Sequence, residues 1–291
     1  MNQKVKGVCY ITCTAFCFNL MNVFVRLSGD IPSIQKSFFR NLVAMIFAVI
    51  VLLRSNESFR WKPGNFKYLI LRSATGTIGV LGNFYAVDHL VMADATMLNK
   101  MSPFFGVLFS ALFLKEKCKP TQIFAVLGAF IGSLFIIKPS FANTDFLASM
   151  VGFLGGVGAG AAYTTVRYLG LRKERGPLIV FFFSAFSCIV VLPFIIFDYH
   201  PMTATQLLML LAAGLCAAGG QFAVTAAYRC APAREISIYD YSQILFGAIT
   251  GYLLFNQIPD KFSVLGYIII FSMAVLMFIY NNRQYKSEQT K

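Results

Sequence analysis

The sequence predicts an all-α integral membrane protein of ten transmembrane helices, arranged as two inverted-topology five-helix repeats. Three observations predict it. Hydrophobic residues make up 57% of the 291 residues and charged ones only 13%, a balance suited to lipid rather than water as the main solvent. The apolar residues fall in runs of about 20, enough for a helix to cross the hydrocarbon core, without the alternation of a membrane strand. Finally, the halves echo each other. Val25-Arg26 and Gly29 return as Val166-Arg167 and Gly170, and Phe105-Gly106 as Phe246-Gly247. Gly82-Asn83-Phe84 returns as Gly220-Gln221-Phe222, and Val126-Leu127-Gly128 as Val264-Leu265-Gly266. An odd number of crossings per repeat makes the second copy enter from the opposite side, as in many carriers.

Each span has its own justification. Residues 7–27 form the first, with Cys9, Cys13 and Cys17 on one helical stripe and Asn19 and Asn22 on a polar face. No cleavage pattern precedes it, so it is expected to remain as an uncleaved helix. Residues 34–53 contain Arg40, and 66–87 contain Gly76, Gly79, Gly82 and Asn83. Residues 93–114 contain Asn99, Lys100 and Pro103, and 119–138 are uniformly apolar. The polar stretch from Pro139 to Asp145 marks the boundary between repeats 1–140 and 141–291, which form one folded unit. Residues 147–168 and 205–227 bring further glycines with Tyr163 and Gln221, while 177–197 and 261–280 are plainly apolar. Residues 236–255 contain Tyr239, Asp240 and Gln243. Small residues let helices approach closely in lipid, which places the glycine-rich third, sixth and eighth spans inside and the fifth and tenth at the periphery.

The formal net charge of +13 is topological rather than a nucleic-acid footprint. Lys4, Lys6, Arg54, Arg60, Lys62, Lys67, Lys115, Lys117, Lys119, Arg172, Lys173, Arg175, Arg229, Arg234, Arg283, Lys286 and Lys291 occupy one side. Only Arg26, Lys36, Lys138 and Lys261 occupy the other. By the positive-inside rule both termini are cytoplasmic. Asp30, Asp88, Asp94, Asp145, Asp198 and Asp260 then lie outside. No metal site is expected, because the two histidines fall in outer loops away from the cysteines.

Gly76-Thr77-Ile78-Gly79-Val80, Tyr85-Ala86, Ala93-Asp94-Ala95-Thr96, Pro103 and Leu114-Lys115-Glu116 together resemble the EamA branch of the drug/metabolite transporter superfamily. The resemblance spans essentially the whole chain. It implies a cavity lined mainly by helices one to four and six to nine, and alternating access. The second repeat departs from the pattern, with Ile244 in place of Pro103 and Asn256-Gln257 in place of Lys115-Glu116.

Ionisable residues inside a membrane are functional candidates by default. Arg40 and Lys100 each lie about seven residues from the outer end of their spans, or roughly 10 Å, and could form one cationic layer for a carboxylate or phosphate. Pro103 lacks a donor and clashes with the Asn99 carbonyl, which predicts a bend beside Lys100. Asp240, the repeat partner of Asn99, is either a proton-coupling group or the partner of Lys100 or an arginine. Asn83 and Gln221, themselves repeat partners, either bracket a polar ligand or bond helix to helix, and Tyr163, Tyr239 and Gln243 add contacts. Arg26, Arg167 and Arg72 lie near helix ends, where snorkelling predicts interfacial anchoring.

The expected function is secondary active transport of small organic metabolites, amino-acid-like or organic-anion, by alternating access with either proton coupling or exchange. The alternative is a receptor or assembly subunit that binds a small ligand in the same cavity. No enzyme activity is expected, since no paired carboxylates, nucleophile with a base, or phosphate loop occurs. The reading implies no cofactor, no nucleic acid, lipid surroundings, an anionic or zwitterionic substrate, and a plasma (inner) membrane location.

Overall fold

In the computed structural model, residues 3–55, 59–114, 120–137, 145–230 and 239–289 are described, and every regular element among them is an α-helix. The first half of the chain contributes α1 (Gln3–Leu27), α2 (Ser33–Arg54), α3 (Phe66–His89), α4 (Met92–Asn99), α5 (Ser102–Leu114) and α6 (Pro120–Ile137). The second contributes α7 (Phe146–Leu171), α8 (Gly176–Phe197), α9 (Ala204–Cys230), α10 (Ser242–Phe255) and α11 (Lys261–Gln289). Six described helices, α1, α2, α7, α8, α9 and α11, are long and apolar enough to cross a membrane, and α6 and α10 include shorter apolar segments. The expected break at Pro139–Thr144, the Lys115-Glu116 pair, Lys138 and Arg234 lie outside the described residues.

Most of the packing runs between the two halves of the chain. The most extensive contacts pair α1 with α9, α3 with α7, α2 with α8 and α6 with α11. These pairings map onto one another when the two halves are exchanged. The two sets of loops gather at opposite ends. At the basic end, Arg175 donates to the Arg60 carbonyl and Arg172 to Asn65. At the other end, Gln35 exchanges bonds with the His200 backbone.

Glycine decides how close α3 and α7 can come. A Cβ on Gly82 would lie 2.7 Å from the Val151 carbonyl oxygen and 2.8 Å from Gly155 Cα, and one on Gly158 would lie 2.8 Å from the Thr75 carbonyl oxygen. Real side chains do not fit there, so the helices meet backbone to backbone. The peripheral pair α6 and α11 uses the same device, with a Gly266 Cβ falling 2.7 Å from the Gly132 carbonyl oxygen. Uniform apolarity had suggested plain lipid-facing helices; instead one face of each is a tight crossing.

The structure corrects the expected spans in two places. The fourth span is two helices, α4 and α5, separated at Lys100 and Met101. The expected bend thus lies just upstream of Pro103, which sits in the first turn of α5, where its missing N–H is not needed. The ninth span, expected as one helix over 236–255, is interrupted at Tyr241, the N-cap of α10. Tyr241 is the repeat equivalent of Lys100, so both copies break at the same position although only one has the proline. The Asn256-Gln257 departure also has a structural reason. Asn256 closes α10 in the left-handed region at φ 51°, which asparagine tolerates. Gln257 Oε1 accepts from the Met92 N–H at 3.0 Å, satisfying an orphan donor at the start of α4.

Glu174 ties the basic-end loops together. Its carboxylate accepts from Asn65 Nδ2 at 2.8 Å, the Lys62 N–H at 3.0 Å and the Arg175 N–H at 3.2 Å. Burial raises its pKa, but these donors outweigh burial and hold the carboxyl below its ordinary value of 4.5. A depressed folded pKa contributes stability above the unfolded value, and that stability disappears as pH falls through the folded value. Glu174→Gln is therefore expected to lower thermal stability at neutral pH, with the deficit shrinking below about pH 4.5. Gly82→Val is expected to destabilise by about 1–3 kcal/mol through overpacking, seen as an earlier melting transition.

Candidate functional site

The broken helices meet at their breaks. Lys100 caps the C-terminal end of α4, and its Nζ donates to Asp240 Oδ2 at 2.6 Å. Asp240 immediately precedes the Tyr241 N-cap of α10. Each charge is thus placed favourably, with the ammonium at a negative helix end and the carboxylate near a positive one. The backbone is also repaired across the junction. The Phe104 N–H turns to the Met101 carbonyl, and the Lys100 carbonyl accepts instead from Tyr241 Oη at 3.2 Å. Irregular backbone at membrane depth needs such internal partners.

Beside this junction is a cavity of about 80 Å³, bounded by both halves of the chain. The sequence-selected Arg40, Asn83, Asn99, Lys100, Tyr163, Gln221, Asp240 and Gln243 all line it. Tyr239 does not. It is 41% exposed and its ring packs edge-on against Phe278, because the break at Tyr241 changes the direction of the chain just after it. Asn83 Nδ2 donates to Asn22 Oδ1 at 3.0 Å, so this wall is held by a helix-to-helix bond between α3 and α1. Asn19 bonds Thr250 on α10 at 3.3 Å rather than facing a ligand.

The cationic layer differs from the expected one. Lys100 is paired with Asp240, whereas Arg40 and Arg72 have no carboxylate partner among the described residues. Arg40 is 2% exposed, donates from Nη1 to Asn41 Oδ1 at 2.6 Å, and leaves Nε unbonded. Arg72, expected as an interfacial anchor, is 4% exposed and lines the cavity, with Nε and Nη1 both unbonded. Both guanidinium groups lie by the Phe183 ring, 4.0 Å from its centroid for Arg72 and 5.7 Å for Arg40. Sequence position misplaced Arg72 because it is only six residues into α3, where the cytoplasmic interface is within reach. The one available signal was Gly76, four residues on, which leaves room for the side chain to fold inward.

Other groups are structural. Arg26 donates to the Val87 and Leu90 carbonyls at 2.9 and 2.7 Å, capping the end of α3 rather than only anchoring at the interface. Lys36 and Asp88, both expected on the outer side, are helical and joined at 2.6 Å, with Lys36 buried. Asp94 is buried in the first turn of α4 and accepts from Tyr267. On the cavity side, Asp240 Oδ1 has no bonding partner. The wall therefore presents free guanidinium donors and one free carboxylate oxygen, beside an internally neutral Lys100–Asp240 pair.

Residues 5–138 match the model of the EamA-like transporter family. The chain is 31% identical over 266 residues to a pseudopaline exporter of Pseudomonas aeruginosa, covering 91% of this chain and 93% of that one. It is 26% identical to human solute carrier family 35 member G1, covering 89% and 75% respectively. It is 25% identical to a riboflavin transporter of Brucella anthropi, covering 85% and 89%. A solved crystal structure superposes with a TM-score of 0.65 at 13% identity over 96% of this chain, a likeness of fold alone.

Removing one member of a buried pair strands the other. Lys100→Met alone is expected to cost about 3 kcal/mol, because Asp240 is left unpaired. The double variant Lys100→Met/Asp240→Asn should recover much of that loss, as measured by thermal unfolding in detergent.

Proposed function

Since this chain belongs to the EamA-like transporter family, we propose that it is a secondary active transporter of small organic metabolites, amino-acid-like or organic-anion, working by alternating access. It is a multi-pass integral membrane protein and a small-molecule transporter, as its relatives' names indicate. The observation that carries the finer reading is the cavity between the halves, with unbonded guanidinium donors of Arg40 and Arg72 and the unbonded Asp240 Oδ1 on its wall. A solute with an anionic group and an N–H donor would satisfy both. The two halves, residues 1–140 and 141–291, act as inverted repeats that rock about this site. Nothing in this cycle calls for a catalytic step or a cofactor.

Asp240 is the coupling group in this reading. Protonation removes its charge and weakens the bond to Lys100, which lets the broken helices α4 and α10 part. Rebinding of the two side chains closes the site again. Exchange of one solute for another needs no such proton step.

The protein resides in the plasma (inner) membrane with both termini cytoplasmic, a reading supported by the distribution of basic residues. A reporter active only in the cytoplasm should work at either terminus, and activity at only one would sink this topology. Purified protein in proteoliposomes is expected to move amino-acid-like or organic-anion solutes down an imposed pH gradient. Asp240→Asn should abolish the gradient-driven component while sparing solute exchange. Unaltered pH dependence in that variant would remove Asp240 from coupling, and binding without movement of any solute would favour a receptor.

A further inference from the structure

Arg72 points the wrong way for an anchor. Side chains on a helix lean toward its N-terminus, which for α3 is the basic-loop end, where Arg72 could reach headgroups and water. Instead its guanidinium lies over Gly76, one turn deeper, at a place where a Cβ on Gly76 would collide with Arg72 Nη1. That Cβ would also come within 3.0 Å of the Phe183 ring, so Gly76 and Phe183 form the two walls of a slot that holds the guanidinium inward. Within the slot, Nε and Nη1 are buried and unbonded. Arg40 reaches the same ring and also has an unbonded Nε.

Two positive charges therefore face the cavity with no carboxylate partner among the described residues, since Asp240 pairs through Oδ2 with Lys100. An uncompensated charge at this depth is costly, and a complementary ligand removes the cost. We infer that Arg72, held inward by Gly76 and Phe183, forms with Arg40 an anion subsite that selects solutes carrying two negative charges over uncharged ones. The planar guanidinium fork suits an oxyanion, whether the charges sit on two carboxylates or on one phosphate. This inference rests on the transport reading for its physiological meaning, but the binding chemistry stands apart from it.

The test uses full-length protein in nanodiscs at fixed ionic strength, with succinate and inorganic phosphate as probes and uncharged succinamide as control. Succinate or phosphate should raise the melting temperature where succinamide does not, and whichever acts identifies the source of the two charges. Arg72→Gln should weaken binding of that probe by about tenfold or more. Gly76→Ala keeps every charge yet fills the slot, so it should weaken binding as well. Arg72→Lys should retain only part of the affinity, and its size-exclusion profile should match that of the parent protein. The inference is overturned if neither dianion outperforms succinamide, or if Arg72→Gln and Arg72→Lys bind the probe as the parent does. Transport of succinate or phosphate that is unaffected by Arg72→Gln would leave the transporter reading standing and sink the subsite. Arg72-dependent dianion binding without transport of any solute would do the reverse.

Discussion

A chain that stops being helical inside a membrane exposes backbone groups that lipid cannot satisfy. Among the described residues this protein does so at Lys100–Met101 and at Tyr241, and the solution is mutual. Lys100 donates its ammonium to Asp240, and Tyr241 donates its hydroxyl to the Lys100 carbonyl. Each break supplies what the other lacks. The junction places α4 against α10 and sets one wall of the cavity, so the position of the site follows from the repair of the backbone.

The same junction decides the electrostatics. Because Lys100 and Asp240 neutralise each other, the unbalanced charge in the cavity comes from Arg40 and Arg72. Their guanidinium groups share the ring of a single phenylalanine, a contact that orients them without neutralising them. The close α3–α7 packing through Gly82, Gly155 and Gly158 brings Arg72 on α3 near Tyr163 on α7 in the cavity wall. Glycine thus has two tasks in α3: at Gly82 it admits a neighbouring backbone, and at Gly76 it admits the protein's own arginine.

Much of the fold was legible because lipid imposes simple rules. Helix length follows bilayer thickness, and glycine marks close crossings. Most of the cavity wall was legible too, since polar residues in apolar spans stand out, and Arg40, Asn83, Lys100, Gln221 and Asp240 all line it. Three features escaped for local reasons. Tyr239 lies just before a chain break that no proline announced. Lys36 and Asp88 are far apart in sequence, and only the packing of α2 beside α3 pairs them. Arg72 was judged by its distance from a helix end, whereas its side chain lies toward the interior.

The sequence by itself determined the class of the molecule: apolar runs, echoed motifs and one-sided charge suffice for a multi-pass helical protein with related halves, because each is a property of a single segment in its solvent. Only the tertiary structure decided which charges are spent on each other and which are left for a ligand. That division depends on distances between segments far apart in the chain, and on whether a neighbouring glycine leaves room for a guanidinium to turn inward.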